Sequence, residues 1–219
     1  MLFKNKKLDE GTDQDDEDEE DSEDTGAVIK TALEDSRLIG LFGEVEERKI
    51  AQIIGIMLEL SETSEVEITS KVDDKEETRI ENLPIEFLIS TPGGSADDMF
   101  SLYDIMRLVR NKCDIETFGL GKVMSAGVLL LASGTKGKRK IGKNCRVMIH
   151  SVVGGTHGSF HNLENEMSEM RYMQDAYLKA LSDESNMSVA QLKRMIGRKV
   201  NVYLSAEEAV KLGIADIIV

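Results

Sequence analysis

The fold class is most directly indicated by residues 119–139, GLGKVMSAGVLLLASGTKGKR. The segment begins as the end of a strand, DIETFGLG, and continues as the helical apolar run SAGVLLLASG. Ser125 stands between the two, where the chain passes from the strand into the helix. Strands that alternate with helices along a chain are typical of an α/β fold.

The same alternation extends in both directions from this segment. Further strands are predicted at 37–45, 85–90, 146–150 and 214–219, and further helices at 46–60, 96–110, 160–183, 188–197 and 205–213, the last with Ser205 as its N-cap. Residues 61–82 are polar and weakly alternating, and predict either a projecting hairpin or a loose loop. The whole pattern predicts an α/β layered fold with largely parallel strand pairing.

Charge divides the chain into an acidic extension, residues 1–36, and one domain, residues 37–219. Residues 1–24 have a net charge of −9, which leaves −5 of the total of −14 for the rest of the chain. We expect the acidic run to be disordered, either as a solvated tail or as a removable pro-segment or docking arm. The mildly acidic body argues against nucleic acid as a partner, because phosphate neutralisation needs clustered Lys and Arg.

Other features exclude several classes of protein. Cys113 and Cys145 fit no disulfide framework or metal spacing, and are expected to be reduced thiols. No signal peptide or membrane-spanning run is evident, so the sequence predicts a soluble cytoplasmic protein. His157 and His161 lack an obvious third metal ligand, and the dinucleotide and P-loop patterns are absent, so we expect no metal and no cofactor.

Two polar side chains, those of Ser125 and His150, are candidates for catalytic roles. A nucleophilic serine needs a base within reach and donors for the oxyanion, and Ser125 opens a helix whose N-terminus supplies N–H groups. Taken alone, Ser125 is more typical of a helix N-cap. His150 ends the strand RVMIH, where an imidazole can project into a cleft or be a satisfied structural histidine. The TPGGS turn (91–95) could present N–H groups to a ligand, but a glycine pair mostly signals a turn.

Taken together, four segments resemble the family of the Clp protease proteolytic subunit, the caseinolytic serine peptidases. The segments are ISTPGGS (89–95), GLGKVMSAGVLLLASGTKGKR (119–139), NCRVMIHSVVGG (144–155) and YLSAEEAVKLGIAD (203–216). They occur in the family's order, and the Ser-to-His separation of 25 also agrees. The resemblance covers the chain from about residue 37 to its end.

The resemblance implies a set of roles for individual residues. Ser125 would be the nucleophile and His150 the general base and acid. Gly94 and Ala126 would supply the oxyanion N–H groups. The glycine-rich segment after His150, with Gly154 and Gly155, would pair with an extended substrate.

The resemblance also implies an architecture and partners. The fold would be a crotonase-like β-α superhelix with a protruding helical handle, here 160–183, whose apolar face packs two rings together. We expect heptameric rings, two stacked around a closed chamber, in which peptide bonds of unfolded proteins are hydrolysed. An AAA+ unfoldase ATPase would be the partner that uses ATP.

Several departures from the family bear on activity. Counting back from Leu204 places Asn201 where the family has the aspartate of its triad. An amide can accept the Nδ1–H of His150 but cannot stabilise the imidazolium with a full charge, so reduced or conditional activity is predicted. The segment before the ISTPGGS strand is also longer than usual, and the family's proline shortly after the histidine is missing.

Three other interpretations compete with an active peptidase of this family. The chain could be a catalytically impaired ring subunit that modulates an active paralogue, which Asn201 favours. It could be a protease of the same fold dedicated to one assembly, such as a viral capsid precursor. An acyl-CoA enzyme of the crotonase class is disfavoured, because those enzymes do not rely on a Ser–His pair.

Overall fold

The computed structural model describes residues 28–30, 36–72, 75–155, 157–197 and 201–219. The acidic run at 9–24 lies outside the described residues, as does most of the predicted extension. Of that extension, residues Val28–Lys30 form a short strand. Among the described residues, no helix is long and apolar enough to cross a bilayer.

Ten strands and six helices are formed by the described part of the chain. The strands are β1 (Val28–Lys30), β2 (Leu38–Phe42), β3 (Glu65–Val72), β4 (Lys75–Asn82), β5 (Ile85–Thr91), β6 (Ile115–Met124), β7 (Lys140–Ile141), β8 (Arg146–Ile149), β9 (Val202–Leu204) and β10 (Ile217–Ile218). The helices are α1 (Glu47–Glu62), α2 (Ala96–Val109), α3 (Ala126–Ala132), α4 (Phe160–Glu184), α5 (Val189–Ile196) and α6 (Ala206–Lys211).

The main sheet is largely parallel and divides at β6. Its order is β1-β2-β5-β6-β7-β10, and β8 pairs with β6 and β9 with β8. The first half of β6 pairs with β7 at Phe118 and Gly119, whereas its last three residues pair with β8. Among the described strands of this sheet, only β1 and β9 run antiparallel to their neighbours. The predicted α/β fold with parallel strands is confirmed, and the division brings the carboxyl ends of β6 and β8 side by side.

The helix α3 lies at the centre of the core. All seven of its residues, AGVLLLA, are buried, as expected of a helix that is apolar on every side. A side chain at Gly127 would come within 2.3 Å of Thr91 Cγ2, so the glycine permits β5 and α3 to approach closely. This packing fixes the start of α3, and with it Ser125, against the end of β5.

The polar segment before β5 is a hairpin and not a loose loop. Its two strands, β3 and β4, pair with each other over eight positions and form a sheet separate from the main one. Val66 and Ile68 are half-buried, while Ile80 is exposed. Because β4 leads directly into β5, the insertion leaves the strands that carry the candidate site undisturbed.

The long helix α4 has one packed half and one exposed half. Its C-terminal part buries Tyr177, Leu178, Ala180, Leu181 and Glu184, whereas most of the residues before Met170 are exposed. Of the apolar face expected from the sequence, Tyr177 and Leu181 join the intrachain core, but Met167 remains 48% exposed. The N-terminal half is therefore the protruding part, as the predicted helical handle requires.

Candidate active site

Ser125 has a strained backbone between β6 and α3. Its φ of 54° and ψ of −120° lie in a region that residues with a Cβ rarely adopt. Among the described residues it is the only one other than glycine with a positive φ. It occupies the N-cap position of α3, yet its side chain makes no capping hydrogen bond. The N-cap interpretation therefore does not account for this serine, whose hydroxyl lines a cleft.

The glycine turn that follows β5 packs directly on Ser125. Gly93 has a φ of 105°, and a Cβ built there would lie 2.5 Å from Ser125 Cβ. Its N–H donates to Thr91 Oγ1 at 3.0 Å. Two backbone hydrogen bonds fix the turn to Val45, whose N–H donates to Gly93 O and whose carbonyl accepts from Ser95 N–H, both at 2.8 Å. Only glycine permits this contact between the turn and the serine.

The two residues predicted to supply the oxyanion N–H groups share a cleft with Ser125. Gly94 and Ala126 both line the cleft. The neighbouring N–H groups are used within the protein: Ser125 N–H donates to Met148 O at 2.8 Å. Among the described residues, no carbonyl accepts from Gly94 N–H or Ala126 N–H. Both N–H groups therefore remain available to a substrate oxygen in the cleft that Ser125 lines.

His150 lies in the same cleft as Ser125. It follows β8, which pairs in parallel with the end of β6, so the two residues leave adjacent strands at the same edge of the sheet. The cleft has a volume of about 370 Å³ and contains both side chains together with the glycine turn. The structure thus brings together four of the residues singled out from the sequence: Ser125, His150, Gly94 and Ala126.

Asn201 lies beside the cleft and not in it. The antiparallel pairing of Ile149 with Val202 places Asn201 opposite His150, one position beyond the last pair. Its side chain is exposed and does not line the cleft, and no hydrogen bond joins these two described residues. The predicted third member is therefore next to the histidine in the sheet register without a hydrogen bond to it.

Gly154 and Gly155 are exposed and lie beyond the cleft-lining residues 151–153. Residues 151–155 form no ladder with a described strand, so their backbone N–H and C=O groups are not used in a sheet. A side chain at Gly155 would meet nothing within 4 Å, whereas one at Gly154 would touch Met170 of α4.

Other cleft residues were not identified from the sequence. Tyr177 reaches the site from α4, and its hydroxyl donates to the backbone oxygen of Ser125 at 3.2 Å. Met99 and Met173 add apolar side chains to the lining, and Glu44 adds an acidic residue. The apolar periodicity placed Met99 on the buried face of α2, and Tyr177 on an α4 face that suits either ring packing or an intrachain core, because the pattern does not show what such a face contacts.

The described residues offer no metal centre. No three His, Cys, Asp or Glu side chains within the described ranges come together in a way that could hold an ion. His161 is exposed, and its Nδ1 lies 3.6 Å from Glu164.

Replacing Gly93 with alanine tests whether the turn positions Ser125. The new methyl group would overlap Ser125 at a positive φ, so we expect a loss of about 1–3 kcal/mol of stability and a fall of about 10²-fold in any Ser125-dependent reaction. Thermal unfolding and reaction with a serine-directed probe measure the two effects.

The matched control is Gly55→Ala in α1, where a Cβ meets nothing within 4 Å. That control should stabilise the protein by about 0.5–1 kcal/mol and leave the reaction unchanged; equal behaviour of the two variants would contradict the packing argument.

A family model described as Clp protease matches residues 76–219. The match covers about two thirds of the chain and includes the glycine turn, Ser125, His150 and Asn201. It begins within β4, so β1, β2, α1 and β3 lie outside it.

Proposed function

Since the chain belongs to the Clp protease family, we propose that it is a serine endopeptidase in which Ser125 attacks the peptide carbonyl and His150 moves the proton. One observation supports this most strongly. The strained Ser125 shares a cleft with His150 and with two N–H donors that no described protein group uses. That is the set of groups that acyl transfer from an amide needs.

The proposed reaction has two halves. Ser125 Oγ forms a bond to the carbonyl carbon while His150 takes its proton, and the oxyanion accepts hydrogen bonds from Gly94 N–H and Ala126 N–H. The C–N bond then breaks, and the leaving amine receives the proton from His150. In the second half, water attacks the acyl carbon, His150 takes a proton from the water, and Ser125 Oγ leaves with that proton.

Asn201 limits the proposed activity. When His150 becomes an imidazolium, its charge is best stabilised by a carboxylate that accepts from Nδ1, and the loss of that carboxylate costs about 10⁴-fold in the well-studied serine protease triad. Asn201 is adjacent to His150 in register but exposed. We therefore propose an enzyme of reduced or conditional activity, in which assembly brings Asn201 towards His150.

The setting we propose is an assembled chamber. Its substrates would be unfolded proteins and peptides, its assembly a homo-oligomer of heptameric rings, two of them stacked, and its partner an AAA+ unfoldase. The exposed half of α4, with Phe160, Met167 and Tyr172 at its surface, supports packing against a second copy. Residues 151–155 support substrate binding by strand addition, since their backbone is unpaired.

The second candidate function is that of an impaired ring subunit, which the exposed position of Asn201 favours. Hydrolysis of a fluorogenic peptide amide and of casein, with and without an unfoldase and ATP, separates the two. Peptide hydrolysis by the chain alone, and casein digestion only with the unfoldase, is the outcome expected of the protease. An assembled protein that cleaves neither substrate, yet changes the rate of an active paralogue, would overturn the proposed peptidase activity.

Glu44 predicts a preference for basic substrates. Its exposed carboxylate lines the cleft, and no Lys or Arg is among the cleft-lining residues. A peptide with Lys near the scissile bond should therefore be cleaved about fivefold faster, by kcat/KM, than the same peptide with Glu, and Glu44→Gln should remove most of that difference. Glu47→Gln, an exposed substitution in α1 outside the cleft, is the matched control. A preference that survives Glu44→Gln, or that disappears equally in the control, would show that Glu44 does not set it.

A further inference from the structure

Tyr177 makes a contact with the nucleophile that neither the family match nor the sequence pattern assigns. Its side chain is 7% exposed, lies on α4 and lines the cleft, and its hydroxyl donates to the backbone oxygen of Ser125 at 3.2 Å. We infer that Tyr177 is a positioning residue that orients the oxyanion donor Ala126 N–H by holding the Ser125 carbonyl. The inference rests on the proposed peptidase function.

The planarity of the peptide bond links the two groups. Ser125 C=O and Ala126 N–H belong to one peptide unit, so a hydrogen bond that fixes the oxygen also fixes the direction of the N–H. In a trans peptide the two bonds point in opposite directions, which places the donor on the face away from Tyr177. Polarisation along such a hydrogen-bonded chain also strengthens the N–H as a donor. Tyr177 therefore acts on the oxyanion without contacting it.

The conformation of Ser125 explains why such a hold is needed. A residue with a Cβ at a φ of 54° and a ψ of −120° costs energy, and persists only where its surroundings determine it. Met148 O fixes the N–H of Ser125, and Val128 N–H donates to the Ser125 carbonyl at 3.0 Å. Tyr177 donates a second hydrogen bond to the Ser125 carbonyl. Val128 belongs to α3, the helix that Ser125 precedes, whereas Tyr177 belongs to a separate element, α4.

Tyr177 is itself rigidly held. It lies in the packed half of α4, beside Leu178 and Leu181, which are fully buried in the core. Arg139 donates to the backbone oxygen of Glu184, the last residue of α4, at 2.6 Å. Burial raises the pKa of the Tyr177 phenol well above its usual value, so the group remains a hydrogen-bond donor throughout the neutral and mildly alkaline range. The Tyr177 hydroxyl is therefore held in place as a hydrogen-bond donor to the Ser125 carbonyl.

The test is Tyr177→Phe, which removes the hydroxyl and keeps the ring in the cleft wall. We expect kcat for a fluorogenic peptide to fall about tenfold with KM changed by less than about twofold, because the lost interaction acts on the oxyanion of the transition state. The affinity for a peptide boronate, which forms a tetrahedral anion on serine, should fall by about the same factor. A role in packing alone would lower stability without this separation of kcat from KM.

Tyr103→Phe is the matched control. Tyr103 is also buried, at 5% exposure, and its hydroxyl donates at the same distance of 3.2 Å, but to Glu184 and outside the cleft. It should lower the unfolding temperature by a similar amount and leave kcat and boronate affinity within about twofold of wild type. Unchanged kcat and boronate affinity in Tyr177→Phe, or equal losses in both variants, would overturn the inference. A wild-type protein that neither cleaves peptide nor binds boronate would instead refute the proposed function.

Discussion

Ser125→Ala is expected to lower kcat/KM for a peptide amide by at least about 10⁴-fold, to the background rate of peptide hydrolysis measured without the protein. The substitution removes the only atom that we propose to form a bond with the substrate, and leaves its burial and backbone unchanged. Steady-state hydrolysis of a fluorogenic peptide measures the effect, with thermal unfolding as the check that the variant folds.

Ser151→Ala is the matched control for this prediction. Ser151 lines the same cleft and follows His150 directly, so it tests whether any hydroxyl beside the histidine would serve. We expect it to retain activity within a factor of about three, since a hydroxyl that forms no covalent bond contributes only a modest interaction. Activity that survives in Ser125→Ala and disappears in Ser151→Ala would transfer the nucleophile to Ser151.

Asn201→Asp is expected to raise kcat/KM at neutral pH by about 10² to 10⁴-fold. A carboxylate opposite His150 would accept the Nδ1–H and stabilise the imidazolium that forms as Ser125 attacks. Because Asn201 is exposed in the single chain, the gain should be largest in the assembled protein, where the residue can be held against the histidine. Measurement of kcat/KM against protein concentration shows both the gain and its dependence on assembly.

Asn111→Asp controls for the added negative charge, because Asn111 is an exposed position in the turn after α2, away from the cleft and from the proposed α4 interface. It should leave kcat/KM unchanged within about twofold. If Asn201→Asp gives no gain or a loss, the third-member role of Asn201 is refuted, and the Ser125–His150 pair acts without an orienting carboxylate or amide at that position.

The elements around the site follow from local sequence patterns. Apolar runs predicted the strand before Ser125 and the helix after it, and the structure has β6 and α3 there. The same patterns left residues 61–82 undecided, because a two-stranded hairpin with little apolar content has a weak signal. The structure resolves that choice in favour of β3 and β4.

The arrangement within the site depends on contacts that local patterns do not contain. Ser125 resembled a helix N-cap by its neighbours, and only the positive φ and the missing cap bond distinguish it. Tyr177 is separated from Ser125 by 52 positions in the chain, so periodicity could show that it is buried but not against what. Asn201 could be aligned by counting, yet its exposed side chain depends on how β9 ends beside β8.

Labelling with a fluorophosphonate, followed by mass spectrometry of the digested protein, tests the central claim most directly. The reagent phosphonylates a serine that is activated by a base, with loss of fluoride. We predict one adduct, on the peptide that contains Ser125, absent from Ser125→Ala and formed at least about 10²-fold more slowly in His150→Ala. Equal labelling of wild type and Ser125→Ala, or an adduct on another residue, would contradict the assignment of Ser125 as the nucleophile.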